Sequence, residues 1–99
     1  MSKKIERDLK SDFLYSIEVA ERVDRIFSKL AKKDPKKLGI INKKIQDLLK
    51  NPFQFKPLRS PMQHMRRVHI GSFVLVYGVD EARKIVTIIM YAHHDDAYC

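Results

Sequence analysis

The spacing of apolar residues changes period several times along the chain, and each change marks an element. From Phe13 the period is two. Phe13, Tyr15, Ile17 and Val19 fall on one face and Leu14, Ser16 and Glu18 on the other, the alternation of a strand with one buried face. After Ala20 the period becomes helical, with Val23, Ile26, Phe27 and Leu30 at i, i+3, i+4 and i+7, and with Glu21, Arg22, Asp24, Arg25 and Lys29 turned to solvent. This helix is predicted to end near Lys33. Asp34 followed by Pro35 then starts a second helix, because the carboxylate can cap free N–H groups and proline is tolerated at the first helical position. The second helix is predicted to run to about Lys50, burying Leu38, Ile41, Ile45, Leu48 and Leu49, until Asn51 and Pro52 stop it.

The stretch from Asn51 to Gln63 holds Pro52, Pro57 and Pro61 and reads as an extended connector, since a residue before proline is pushed out of the helical region. Beyond it the pattern is all strand. Met65 to Ile70 forms one strand, Gly71 and Ser72 a tight turn, Phe73 to Val79 a second strand, Asp80 to Arg83 a turn, and Lys84 to Ala92 a third. The last two are near-continuous β-branched and aromatic runs, so they are expected centrally in the sheet with both faces at least partly covered. The result is an α+β fold, two N-terminal helices packed on a mostly antiparallel four-stranded sheet. Residues 1–11 alternate charges with few apolar groups and are expected to form a frayed or loosely helical polar extension of a single domain spanning 1–99.

At 99 residues the chain has room for one core. Its single cysteine, Cys99, allows no internal disulfide, which excludes a small bridged scaffold and favours a reducing compartment, the cytoplasm. No apolar run approaches the ~20 residues of a membrane span, and the N-terminus lacks the apolar core of a signal peptide, so no membrane partner is expected.

Charge sharpens the picture. Twenty Lys and Arg stand against twelve Asp and Glu, a formal charge of +8, which draws the protein toward polyanions. Between Leu48 and Val79 there is no acid, yet the interval holds Lys50, Lys56, Arg59, His64, Arg66, Arg67 and His69. Such a stretch is a phosphate-binding candidate because its field is not cancelled locally. Period two along Met65 to Ile70 places Arg67 and His69 on one face and Val68 and Ile70 on the other.

A second cluster, His93, His94, Asp95, Asp96, Ala97 and Tyr98, follows the last strand. Paired histidines suit proton transfer, because imidazole titrates near neutrality, or metal ligation by a neutral nitrogen. The block lacks the separated ligand spacing of a recognised metal site, so neither a metal nor another cofactor is expected. A solvated tail and a catalytic or RNA-contacting terminus are the remaining readings.

From Phe13 to Tyr98 the chain resembles the RelE/ParE superfamily of toxins from type II toxin-antitoxin modules, within it an archaeal-looking RelE branch. The resemblance rests on the order of the opening strand, the two helices broken at Asp34-Pro35, and Pro57-Leu58 before the sheet. It continues through the run Arg66-Arg67-Val68-His69-Ile70-Gly71-Ser72-Phe73-Val74-Leu75-Val76-Tyr77 and the ending His93-His94-Asp95-Asp96-Ala97-Tyr98. It implies a RelE-like fold, cleavage of mRNA in the ribosomal A site without a metal, and neutralisation by a cognate acidic antitoxin that wraps the toxin. The chemistry implied is attack of a ribose 2′-hydroxyl on the adjacent phosphate, which calls for a base, an acid and cations.

Carried over by position, Arg67 and His69 fall on the basic residues of the second strand of RelE toxins, Tyr98 on the C-terminal tyrosine, and His94, with His93 beside it, on a basic or catalytic histidine position. Lys50, Lys56, Arg59 and Arg66 are the expected RNA contacts. One departure is Val74, which stands where the family usually has an arginine. Either Arg66, Arg67 or a connector cation takes over that role, or the protein cleaves poorly, or it belongs with the members that are not nucleases. Those alternatives are a ParE-like inhibitor of DNA gyrase and an RNA-binding domain with a degenerate site.

Overall fold

A computed structural model describes residues 3–5, 15–55, 57–58 and 64–97. In chain order the elements are β1 (Lys3–Ile5), β2 (Ser16–Val19), α1 (Glu21–Lys33), α2 (Pro35–Lys50), β3 (Met65–Ile70), β4 (Phe73–Asp80), β5 (Ile85–His93) and a short α3 (His94–Ala97). The helix boundary forms as its chemistry dictates. Asp34 closes α1, its backbone N–H donating to the Leu30 carbonyl at 2.8 Å, and opens α2, its side chain accepting from the Lys37 N–H at 3.2 Å. At the far end Asn51 accepts from the Phe53 N–H at 3.3 Å, so the chain turns out of the helix at Pro52.

The strands lie in the order β1-β2-β5-β4-β3, with β2 and β5 parallel and the other pairs antiparallel. Both helices cover one face. There Val23 and Phe27 of α1 and Ile41, Ile45 and Leu48 of α2 join Ile17, Val19, Val68, Leu75, Tyr77 and Ile88 of the sheet in one buried cluster. β4 and β5 occupy central positions, and Val74 and Val76 are buried as well although they lie outside that cluster, on the sheet's other face. The fold class is that expected, with a short fifth strand added.

That strand is a correction. Lys3–Ile5 is extended and pairs antiparallel with β2, Lys3 opposite Val19 and Ile5 opposite Ile17, where a frayed or loosely helical segment was expected. The edge of β2 offers main-chain donors and acceptors to any extended segment, and main-chain pairing needs no apolar alternation to announce it.

Among the described residues the register is interrupted once. Val76 pairs with Met90 and Tyr77 with Ile88, so Ile89 is skipped and forms a bulge. The carbonyl it leaves unpaired in the ladder accepts from Arg22 Nε at 3.1 Å, which ties the first turn of α1 to β5. The extra residue also inverts the parity of the strand. Val86 and Ile88 point at the helices before the bulge, and Tyr91 does so after it.

The connector is fastened to the sheet by two direct cross-strand partners, Arg66 and Tyr77. Buried Tyr77 donates its hydroxyl to the Pro52 carbonyl at 2.7 Å, and Arg66 donates to the Phe55 carbonyl at 2.7 Å with its guanidinium over the Phe53 ring. Burial pushes the Tyr77 phenol up from 10.0 to about 12, against a smaller opposing effect of the Arg66 charge. We expect Tyr77→Phe to cost ~1–3 kcal/mol at neutral pH, because the buried Pro52 carbonyl loses its donor. The raised value means the folded state holds the neutral phenol more tightly than the unfolded chain does. That advantage is complete below pH 10 and disappears as pH climbs toward about 12. Urea unfolding across this window should show a steeper alkaline loss in wild type than in Tyr77→Phe; equal slopes would refute the role of the buried phenol.

Candidate functional site

The alternation of β3 separates its basic residues as the sequence predicts. Val68 and Ile70 enter the core, while Arg67, half-buried, and His69, exposed, stand on the face away from the helices. There Arg67 is paired with Val76, and His69 with Val74, which is in turn paired with Ala92. Val74 is fully buried. Arg66 goes the other way: its guanidinium lies on the helix side, hydrogen-bonded to the connector, and is not brought together with Arg67. Lys50 is exposed at the last residue of α2. Lys56, Arg59 and Tyr98 lie outside the described residues.

Between β3 and β4 the chain reverses at Gly71, whose φ of +63° lies in the left-handed region that glycine enters freely. The next residue, Ser72, is the attachment point of the C-terminal cluster. The His94 backbone N–H donates to the Ser72 carbonyl at 2.9 Å, and its ring Nδ1 lies 3.2 Å from the same oxygen. His93, the last residue of β5, follows the inverted parity set by Ile89 and stands with Tyr91 on the helix side. Its ring meets Phe73 edge-on at 5.5 Å, and Phe73 stacks on Tyr91 at 4.9 Å with an interplanar angle of 9°. Lys37 of α2 places its ammonium 3.8 Å from the centre of the Phe73 ring.

The turn into α3 brings the two imidazoles together, with ring centres 4.6 Å apart, and folds Asp95 back against both. Its carboxylate lies 3.1 Å from His94 Nε2 and 3.6 Å from His93 Nδ1, and its backbone N–H donates to His93 Nδ1 at 3.2 Å. The structure thus forms two groups on either side of the Gly71-Ser72 turn. Arg67 and His69 occupy the open face of β3, and His93, His94 and Asp95 sit where β5 ends. A depression of ≈ 280 Å³ beside the turn is lined by Lys37, Ile40, Ile70, Gly71, Ser72 and Phe73.

Sequence reasoning missed the parts played by Lys37, Ser72 and Phe73. Nothing in the sequence around Lys37 separates it from the other lysines of α2, and Ser72 acts only through its carbonyl, which any residue would supply. Only Phe73, an aromatic at the start of a strand opposite paired histidines, carried a readable signal. Among the described residues no helix is long and apolar enough to cross a membrane.

Comparison with known proteins identifies this architecture. Residues 13–98 match the model of the ParE toxin family of type II toxin-antitoxin systems. A protein of Methanocaldococcus jannaschii named as a candidate toxin, RelE4, is 45% identical over 86 residues, covering 86% of this chain and 92% of its own. Among solved structures, the toxin-antitoxin complex RelBE2 of Mycobacterium tuberculosis contains a similar chain (TM-score 0.67, 25% identity, 80% of this chain and 96% of that one). The fold is also that of Escherichia coli RelE, solved as a double mutant in the free state (TM-score 0.69, 22% identity, 84% of this chain and 86% of that one). The match spans β2 to β5, helices α1 and α2 and the histidine cluster, and the chain belongs to the RelE/ParE superfamily as a toxin of a type II toxin-antitoxin system.

Proposed function

We propose that this toxin is a metal-independent endoribonuclease that cleaves ribosome-bound mRNA. The observation that supports this reading is the placement of a basic pair, Arg67 and His69, and an imidazole pair, His93 and His94, on either side of one tight turn. An RNA strand wrapped round the turn, from the face away from the helices to the end of β5, would meet basic groups first and imidazoles next, and 2′-hydroxyl attack calls for both. Val74 supplies no charge, but its direct partner across the ladder is His69, which brings a basic group next to the place the family arginine would take. Tyr98 follows α3 within a few residues and is the candidate to stack on a base or assist proton transfer.

In this reading Arg67→Ala weakens RNA binding and slows cleavage in a translation extract, and flattens the salt dependence of binding by about one unit, the loss of one phosphate contact. Lys29→Ala, an exposed change on α1, leaves both intact. Equal effects from the two variants would mean that charge acts globally, and the assignment of the site would fall. A second reading, a ParE-like block of DNA gyrase, is favoured by the uncharged Val74. Inhibition of DNA supercoiling by a protein that leaves mRNA whole would establish it.

The toxin's partner is a cognate antitoxin, and the acid-free stretch from Lys50 to His69 fits an acidic segment of it. Co-purification from the native operon should yield a complex stable at low salt. Separate elution of a small acidic neighbour would remove this assignment.

A further inference from the structure

Phe53 is a large apolar side chain left 44% exposed, yet the chain that carries it is held in place from several directions. Its N–H donates to the Asn51 side chain at 3.3 Å, and the Pro52 carbonyl just before it accepts from the buried Tyr77 hydroxyl at 2.7 Å. Arg66 Nη1 donates to the carbonyls of Phe55 at 2.7 Å and of Phe53 itself at 3.4 Å, which sets the guanidinium 5.0 Å from the centre of the Phe53 ring. Tyr15 meets that ring at 6.4 Å with an interplanar angle of 77°, and Lys84 Nζ lies 5.2 Å from the centre of the Tyr15 ring. The turn after α2 therefore offers solvent an aromatic ring on a fixed backbone, bordered by two cations.

We propose that Phe53 is a stacking platform for a base of single-stranded RNA, with the positive charge of Arg66 and Lys84 drawing the phosphates on either side of that base. A purely apolar partner would have to desolvate the cations at the rim of the ring, whereas a nucleotide brings a flat π surface and negative charge together. Lys50, exposed at the end of α2, adds to the same field, and no acid occurs between Leu48 and Val79. The carboxylate nearest to Phe53 in the sequence is that of Asp47, an exposed residue of α2. Because the backbone is already fixed, little conformational entropy is lost when a base settles on the ring. The contact is separate from the histidine cluster. Arg66 precedes Ile70 by four residues of β3, so at ~3.3 Å per residue the platform lies ~13 Å from the Gly71-Ser72 turn, and its guanidinium is on the helix side. The inference rests on the RNA reading above and adds to it a nucleotide remote from the scissile phosphate, which contributes to affinity and not to the chemical step.

The chain contains no tryptophan, so Phe53→Trp places a single indole reporter on the platform. The test titrates this full-length variant with a 2′-O-methyl oligoadenylate, which lacks the attacking hydroxyl and cannot be cleaved. We expect the indole fluorescence to be quenched on binding, and polyphosphate, a polyanion without bases, to leave it unquenched. Phe53→Ala and Phe53→Leu should each bind the oligonucleotide about fivefold to hundredfold more weakly than wild type, with an unchanged salt slope, because a stacked base and not a phosphate contact is lost. Wild-type affinity in both variants, an indole unmoved at saturating oligonucleotide, or equal quenching by polyphosphate would overturn the platform. So would an indole that responds to the antitoxin and not to the oligonucleotide, which would make Phe53 a protein contact. Binding is read without cleavage, so quenching in a protein that leaves mRNA whole upholds the platform and removes the nuclease, and cleavage without quenching does the reverse.

Discussion

Replacing His94 with alanine is expected to slow single-turnover cleavage of ribosome-bound mRNA at least about tenfold, because a positioned acid or base usually contributes ~10²- to 10⁴-fold. Its side chain is 52% exposed at the sheet's end, so thermal unfolding should stay near that of wild type. The same loss is expected for Tyr98→Phe, and a deeper one for His93→Ala combined with His94→Ala, because the two rings share Asp95 and one can partly stand in for the other. His69→Ala tests the opposite side of the turn. Unchanged rates in all of these variants would strip the cluster of a catalytic role.

The second large effect concerns stability. Leu75 is fully buried in the central strand β4, on the face that meets the helices, and Leu75→Ala should cost ~2–5 kcal/mol. A domain of this size has only about 5–15 kcal/mol to lose, so the urea midpoint should fall by a large fraction of its wild-type value. Val76→Ala, equally central but on the face without helices, should cost clearly less. A loss below about 1 kcal/mol for Leu75→Ala would contradict a helix layer packed tightly on β4.

Much of this arrangement was legible in the sequence because it follows from local rules. Tyr15, Ile17 and Val19 alternate and are buried; Asp34 and Pro35 separate two helices and do so through a capping hydrogen bond; Arg67 and His69 fall opposite Val68 and Ile70. What escaped depends on contacts between distant parts. Lys3–Ile5 joins the sheet through its main chain, which side-chain patterns do not encode. Arg66 and Arg67 carry the same charge one position apart, yet the pleat sends one to the connector and the other to the open face. The convergence of His93, His94 and Asp95 depends on a four-residue helix too short to leave a periodic trace.

The skipped residue in β5 reaches further than the strand it interrupts. Counting from the core, an odd insertion exchanges inside for outside in everything downstream, so Ile89 decides which of the two neighbouring imidazoles rests on Phe73 and which meets the turn. Removing one codon there would shift the C-terminal segment by half a pleat without changing a single chemical group. The geometry of this terminus is therefore written in chain length as much as in residue identity, and relatives that share the histidines but lack the extra residue would present them the other way round.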